Sequence, residues 1–162
     1  MQGLIEDALF QLGGGRRRYP LTVAGRTDAG VHALAQVASY VGEPVDAYSL
    51  NALLPHDVSV LASEAAPEGF DARRDALSRT YRYRIVARRE PAPLEHLRAL
   101  HQPVPLDDYL LKAAADAILG VHDFTAFTPT ETAHTHFRRN VLEASWKRSD
   151  DGLLVLKVTA DA

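Results

Sequence analysis

The chain has 162 residues, 46% of them apolar, and a formal net charge of -3, which suits a globular protein of one ordinary domain or two small ones sharing a core. It contains no cysteine, so disulfides, zinc–thiolate sites and cysteine nucleophiles are excluded. Its first residues carry acids and no basic-then-apolar run, and no apolar stretch approaches the roughly 20 residues that span a bilayer, so a cytoplasmic location without a membrane partner is expected.

Leu4, Ile5, Ala8, Leu9 and Leu12 recur at helical spacing, which predicts an amphipathic helix over residues 3–12, stopped by Gly13-Gly14-Gly15. Leu21-Thr22-Val23-Ala24 is a short β-prone run ending at Gly25, and residues 36–41 form another. Asp28 sits in the connection between them. Asp46 is placed to cap a short helix running through Asn51 and Leu54 and ended by Pro55, and residues 58–62 alternate like a strand.

Residues 80–87 make the clearest strand of the sequence, with Tyr81, Tyr83 and Ile85 on one face and Arg82, Arg84 and Val86 on the other. Tyr83 is the core candidate of that face. Pro91, Pro93, Pro103 and Pro105 then break the pattern and suggest a boundary near residue 102. Beyond it, Leu106, Leu110, Ala113, Ala114, Ala117 and Ile118 predict a second amphipathic helix closed by Gly120. Residues 141–147 and 153–159 read as a hairpin turned at Ser149-Asp150-Asp151-Gly152. The fold class expected is α+β, a mostly antiparallel mixed sheet with helices on one face.

A net charge of -3 is unusual for a nucleic-acid binder, because phosphate binding is driven by lysine and arginine displacing counterions. The average hides local concentrations. Arg73, Arg74, Arg79, Arg82, Arg84, Arg88 and Arg89 face the single acid Asp75 within residues 73–89, and Arg16, Arg17 and Arg18 form a second cluster. Local charge therefore points to a polyanion. The competing reading is that arginine is the preferred cation of a chain with three lysines, leaving solvated faces.

Taken alone, Arg26-Thr27-Asp28-Ala29-Gly30 is an ordinary loop, in which an aspartate bonds to nearby backbone and a glycine supplies a positive φ. The longer word Ala24-Gly25-Arg26-Thr27-Asp28-Ala29-Gly30-Val31-His32-Ala33 changes that reading. It resembles, nearly letter for letter, the active-site motif of TruA-type tRNA pseudouridine synthases. Further words follow in the family's order: Leu50-Asn51-Ala52-Leu53-Leu54-Pro55-His56-Asp57, Phe70-Asp71-Ala72-Arg73, Arg79-Thr80-Tyr81-Arg82-Tyr83, Gly120-Val121-His122-Asp123-Phe124 and Arg139-Asn140-Val141.

The resemblance implies a pseudouridine synthase fold of two ferredoxin- or RRM-like halves, here residues 1–102 as the N-terminal catalytic half and 103–162 as part of the C-terminal half. It implies isomerisation of uridine in the tRNA anticodon stem-loop, at positions 38–40. The N1–C1′ bond breaks, the uracil turns over and a C5–C1′ bond forms. Base departure leaves positive character on the sugar, which an adjacent carboxylate stabilises or attacks. The family assigns that task to the residue matching Asp28, whether it attacks the sugar or removes a proton from it.

A base inside a stem must first be extruded, and the family gives the vacated stack or its phosphate to the motif arginine, here Arg26. The bland alternative for Arg26 is an ion pair with a neighbouring acid. Tyr81 matches the tyrosine that packs against the target uracil. Arg16, Arg17, Arg18, Arg73, Arg74, Arg82 and Arg84 are candidates for phosphate contact. No metal or other cofactor is implied: His134-Thr135-His136 with His122 and Asp123 lacks a fixed third ligand, and such histidines are usually solvated or face RNA. His32 reads as a hydrogen-bonding member of the loop.

The family pattern also has a Tyr-Asp-Gly strand and a Gly-Trp-Gln stretch before the first helix of this chain. It continues, after residue 162, into a Phe-x-x-x-Met-Val-Arg helix bearing the basic partner of the catalytic aspartate. The sequence is therefore expected to be shortened at both ends, the partners implied are tRNA and a second copy in a homodimer, and the rival readings are an inactive fragment keeping an RNA-binding surface and a generic α+β scaffold.

Overall fold

The computed structural model describes residues 1–128 and 136–162. The chain falls into two compact units, Met1–Ala76 and Leu77–Ala162. The division by compactness lies at 76/77, and the boundary read from the prolines near 102 falls inside the second unit. The reason is sheet pairing: residues 78–86 make a full antiparallel ladder with residues 153–161, which binds them to the C-terminal part of the chain.

In the first unit, helix α1 (Gln2–Leu12) ends at Gly13 and is followed by Gly14 and Gly15 at φ of 72° and 71°, where a side chain would be strained. Its inward face supplies Ala8 and Leu9, which bury with Leu21 and Leu50 and are flanked by Ile5, Tyr19, Tyr40, Val45, Leu54 and Val60. Full burial of each such leucine is worth about 1.5–3 kcal/mol. Strands β1 (Thr22–Val23) and β2 (Ala38–Ser39) pair antiparallel and are much shorter than the runs that predict them. Helix α2 (Ala47–Asn51) is capped by Asp46, whose carboxylate accepts from the Ser49 N–H at 2.9 Å.

The strand expected over residues 58–62 does not form. Its backbone is held instead by a side chain: Asn51 donates Nδ2 to the Val60 carbonyl at 2.8 Å and accepts from the Val60 N–H at 2.7 Å. One amide thereby satisfies the groups that a neighbouring strand would otherwise pair.

The second unit is built on a five-stranded sheet in the order β4-β3-β7-β6-β5, comprising β3 (Ser78–Val86), β4 (Leu100–His101), β5 (Gly120–Asp123), β6 (Arg138–Arg148) and β7 (Leu153–Asp161). All pairs are antiparallel except the short parallel pair β3–β4. This is the α+β class with a mostly antiparallel mixed sheet, consistent with the pseudouridine synthase fold. The hairpin between β6 and β7 turns at Ser149 and Gly152, as expected; Gly152 takes φ 83°, and the Ser149 N–H donates to the Leu153 carbonyl at 2.9 Å.

Helix α3 (Asp108–Ala117) is capped by Asp107, and the segment carrying it packs Leu106 and Leu111 against Ile85, Ala87, Leu154 and Trp146. Arg148 on β6 fastens it further by pairing with Asp108 and donating to the Leu106 carbonyl. This cluster ends at Ile85, which corrects the reading of Tyr83 as core. Tyr83 stands two residues along the same face, past the cover of Leu106 and Leu111, and is 54% exposed. Among the described residues no helix is long and apolar enough to cross a membrane.

Candidate active site

The connection that carries Arg26 and Asp28 leaves β1 and returns to β2 within the first unit. Its entry is fixed by α1. Glu6 accepts from the Leu21 N–H at 2.8 Å, while Gln2 donates both to Glu6 at 2.8 Å and to the Leu21 carbonyl at 2.9 Å. The backbone bond from Leu21, aided by Gln2, holds the Glu6 carboxyl below the usual carboxylate range.

From there Thr22 pairs with Ser39 and Val23 with Ala38, and the Ala24 N–H donates to the Val37 carbonyl at 2.9 Å. At the next step the ladder is continued by a side chain. Gln36 donates Nε2 to the Gly25 carbonyl at 2.5 Å, and its Oε1 accepts from the N–H groups of Gly25 at 3.3 Å and Val37 at 3.2 Å. Residues 26–35 then project as a loop whose side chains are all exposed. Within it the Asp28 carbonyl accepts from the Val31 N–H at 3.1 Å across a turn containing Gly30, which sits at φ 85°.

Several aspartates of this protein are given to the backbone: Asp46, Asp71, Asp107 and Asp151 in loops and Asp123 at the end of β5 each accept an N–H two or three residues onward. Asp28 does not, and among the described residues Asp57 and Asp150 accept none either. Among the described residues the Asp28 carboxylate accepts no hydrogen bond and joins no ion pair, and the Arg26 guanidinium likewise has no acid partner. The local hydrogen bond and the structural ion pair, the bland readings of these two residues, are both missing from the geometry.

Tyr81 belongs to the second unit, where it lies on β3 opposite Val158 and is 62% exposed. Its neighbour Arg82 is opposite Lys157, whose charge is met by Glu143 at 2.7 Å. Among the arginine candidates, Arg17 lies over the Tyr19 ring at 5.3 Å, and Arg18 lies over the Phe10 ring at 4.8 Å while pairing with Asp7 at 3.0 Å. Arg16 is exposed.

Arg73 and Arg74 both donate backbone N–H groups to Asp71. They differ at the side chain: Arg74 pairs with Asp75 at 3.1 Å and donates to the Gly69 carbonyl at 2.7 Å, whereas the Arg73 guanidinium has no such partner among the described residues. Arg74 holds the Asp75 carboxyl low, second to the backbone N–H of Asp71.

Among the described residues no three acidic or histidine side chains gather into a metal site. His134, part of the set weighed from sequence, lies outside the described residues. His122 donates its Nε2–H to the Leu119 carbonyl at 2.7 Å, and Asp123 is occupied by Thr125. Sequence reasoning missed the work of Gln36, Glu6 and Gln2. Gln36 stands eleven residues after the glycine it holds, and no local pattern marks that closure.

The family described as tRNA pseudouridine synthase matches residues 114–162. That stretch of the chain is thus similar to the pseudouridine synthases. Similar curated proteins include the tRNA pseudouridine synthase A of Bacillus licheniformis, 39% identical over 158 residues that cover 94% of this chain and 64% of that one. That of Methylobacterium radiotolerans is 43% identical over 141 residues, covering 81% and 53%. That of Frankia casuarinae is 42% identical over 172 residues, covering 100% and 61%. Over most of its length the chain is similar to tRNA pseudouridine synthase A proteins, and it spans 53–64% of the length of these three relatives.

Proposed function

We propose that this chain carries the catalytic loop of an isomerase that converts uridine to pseudouridine in the anticodon arm of tRNA. The observation that supports it most is the uncommitted carboxylate of Asp28. It stands in a ten-residue word shared with the family, on an exposed loop, while Asp46, Asp71 and Asp107 are spent on backbone N–H groups. A carboxylate that neither caps nor pairs is free to meet the sugar.

In the reaction the N1–C1′ bond breaks and the electron pair leaves with the base. Asp28 supports the electron-poor C1′, by covalent attack or by removing a proton from the sugar. The uracil then presents C5, the C5–C1′ bond forms, and the proton displaced from C5 is balanced by one gained at N1. Arg26, exposed two residues before Asp28, serves the extruded nucleotide's phosphate or the gap it leaves. Tyr81 offers a face for the uracil, because stacking tolerates turning of the ring in its own plane. Residues 1–102 act as the catalytic half, and the active species is a homodimer.

The test is Asp28→Asn in the native protein, assayed for tritium release from uridine-labelled tRNA. The amide keeps the shape and removes the charge, so pseudouridine formation is expected to vanish while tRNA affinity stays within about threefold. Turnover near the parent's would remove Asp28 from the chemistry.

A further inference from the structure

We infer that Gln36 is a positioning residue for the reaction, resting on the reading above: its side-chain amide closes the neck of the loop that aims Asp28 and Arg26. The β1–β2 ladder is only two residue pairs long, and its last backbone bond joins Ala24 to Val37. Beyond that the two arms hold residues 26–35, all exposed. A short ladder alone is a weak anchor for such a loop, because each end residue can fray.

Gln36 adds the missing rung. It meets both backbone groups of Gly25, donating to the carbonyl at 2.5 Å and accepting from the N–H at 3.3 Å, while the same oxygen takes the Val37 N–H at 3.2 Å. Gly25 immediately precedes Arg26, so the clamp fixes the peptide from which the catalytic arm departs. Gln36 is half-buried although its neighbours from Val31 to Ala35 are exposed. Its alkyl stem and amide are thus turned to the loop neck, out of the solvent that surrounds the rest of the segment. A residue with this placement governs how often the carboxylate is aimed, and a misplacement of about 1 Å can cost about a hundredfold in rate.

The experiment compares Gln36→Met, which keeps the length and removes all three bonds, with Gln36→Glu, which keeps the two accepted bonds and turns the donated one into a contact between a carboxylate oxygen and the Gly25 carbonyl. Both are made in the native protein. For Gln36→Met, kcat on tRNA should fall by about ten- to a hundredfold with KM within about twofold. Gln36→Glu should fall at least as far, because two acceptors then face each other at the Gly25 carbonyl.

Amide hydrogen exchange supplies the second readout. Gly25 should exchange at least about tenfold faster in Gln36→Met while Ala24, held by Val37, stays protected. Parental kcat in Gln36→Met, a loss confined to KM, parental kcat in Gln36→Glu, or unchanged exchange at Gly25 in Gln36→Met would each overturn the assignment. Asp28→Asn run in the same assay separates the two readings. If it is dead while Gln36→Met turns over normally, the clamp alone is wrong; if it retains turnover, Asp28 leaves the chemistry and the positioning role falls with it; if the parent itself forms no pseudouridine, the reading of the function falls first.

Discussion

At the scale of single residues, the side chains that matter divide by what they have already been given to do. Among the described residues Asp28 and Arg26 make no contact with an opposite charge, while the Asn51 amide meets both backbone groups of Val60. Asn51→Leu keeps the bulk and leaves a donor and an acceptor without partners. The expected cost is about 1–2 kcal/mol, seen as a lowered thermal midpoint, with Asp28-dependent turnover retained at temperatures where the variant is folded. A midpoint equal to the parent's would show that water replaces the amide at no cost. Asp28 and Arg26 were legible in the sequence because a ten-residue word marks them. The roles of Asn51 and Gln36 were not, since an amide's partners at 9 and 11 residues' distance are set by how the chain closes, which no local period records.

At the scale of elements, α1, α2, α3, β3 and the β6–β7 hairpin were legible, because each carries its own period, cap or turn glycine. β4 and β5 were not. β4 is two residues long and β5 four, too short for alternation to show, and both exist through the strands they join. The supposed strand at residues 58–62 had the alternation and lacked a neighbouring strand to bond. The least obvious tie is that between α1 and the entry to β1, made by Glu6. Its folded value is lowered, chiefly by the Leu21 N–H. A lowered carboxyl contributes stability above the unfolded glutamate value, about 4.3, and loses it as pH falls through the folded value. Thermal unfolding of Glu6→Gln should therefore show a deficit at neutral pH that shrinks to nothing in acid. A deficit that grew on acidification would place the stabilisation elsewhere.

At the scale of the molecule, the formal charge of -3 and the proposed polyanionic substrate look incompatible until the cations are sorted by partner. Arg18, Arg74, Arg84 and Arg148 are held by Asp7, Asp75, Glu95 and Asp108. Arg16, Arg26, Arg73 and Arg82 make no ion pair among the described residues, and these can neutralise phosphate without first giving up an acid. Each phosphate contact releases counterions, so affinity falls with salt in proportion to the number of contacts and is little affected by total charge. The native protein should accordingly bind tRNA with a steep negative slope of log affinity against log salt between about 50 and 200 mM. Arg73 and Arg74 then make a controlled pair, adjacent in sequence and capped by the same Asp71, yet only one is occupied at its guanidinium. Arg73→Ala should flatten the slope by about one unit with little change in thermal midpoint. Arg74→Ala should lower the midpoint, by releasing Asp75 and the Gly69 carbonyl, and leave the slope nearer the parent's. Fluorescence anisotropy across a salt series, run beside thermal melts of the same variants, reads both quantities. Equal slopes for the two variants would mean that ion-pair occupancy does not decide which arginines meet the RNA.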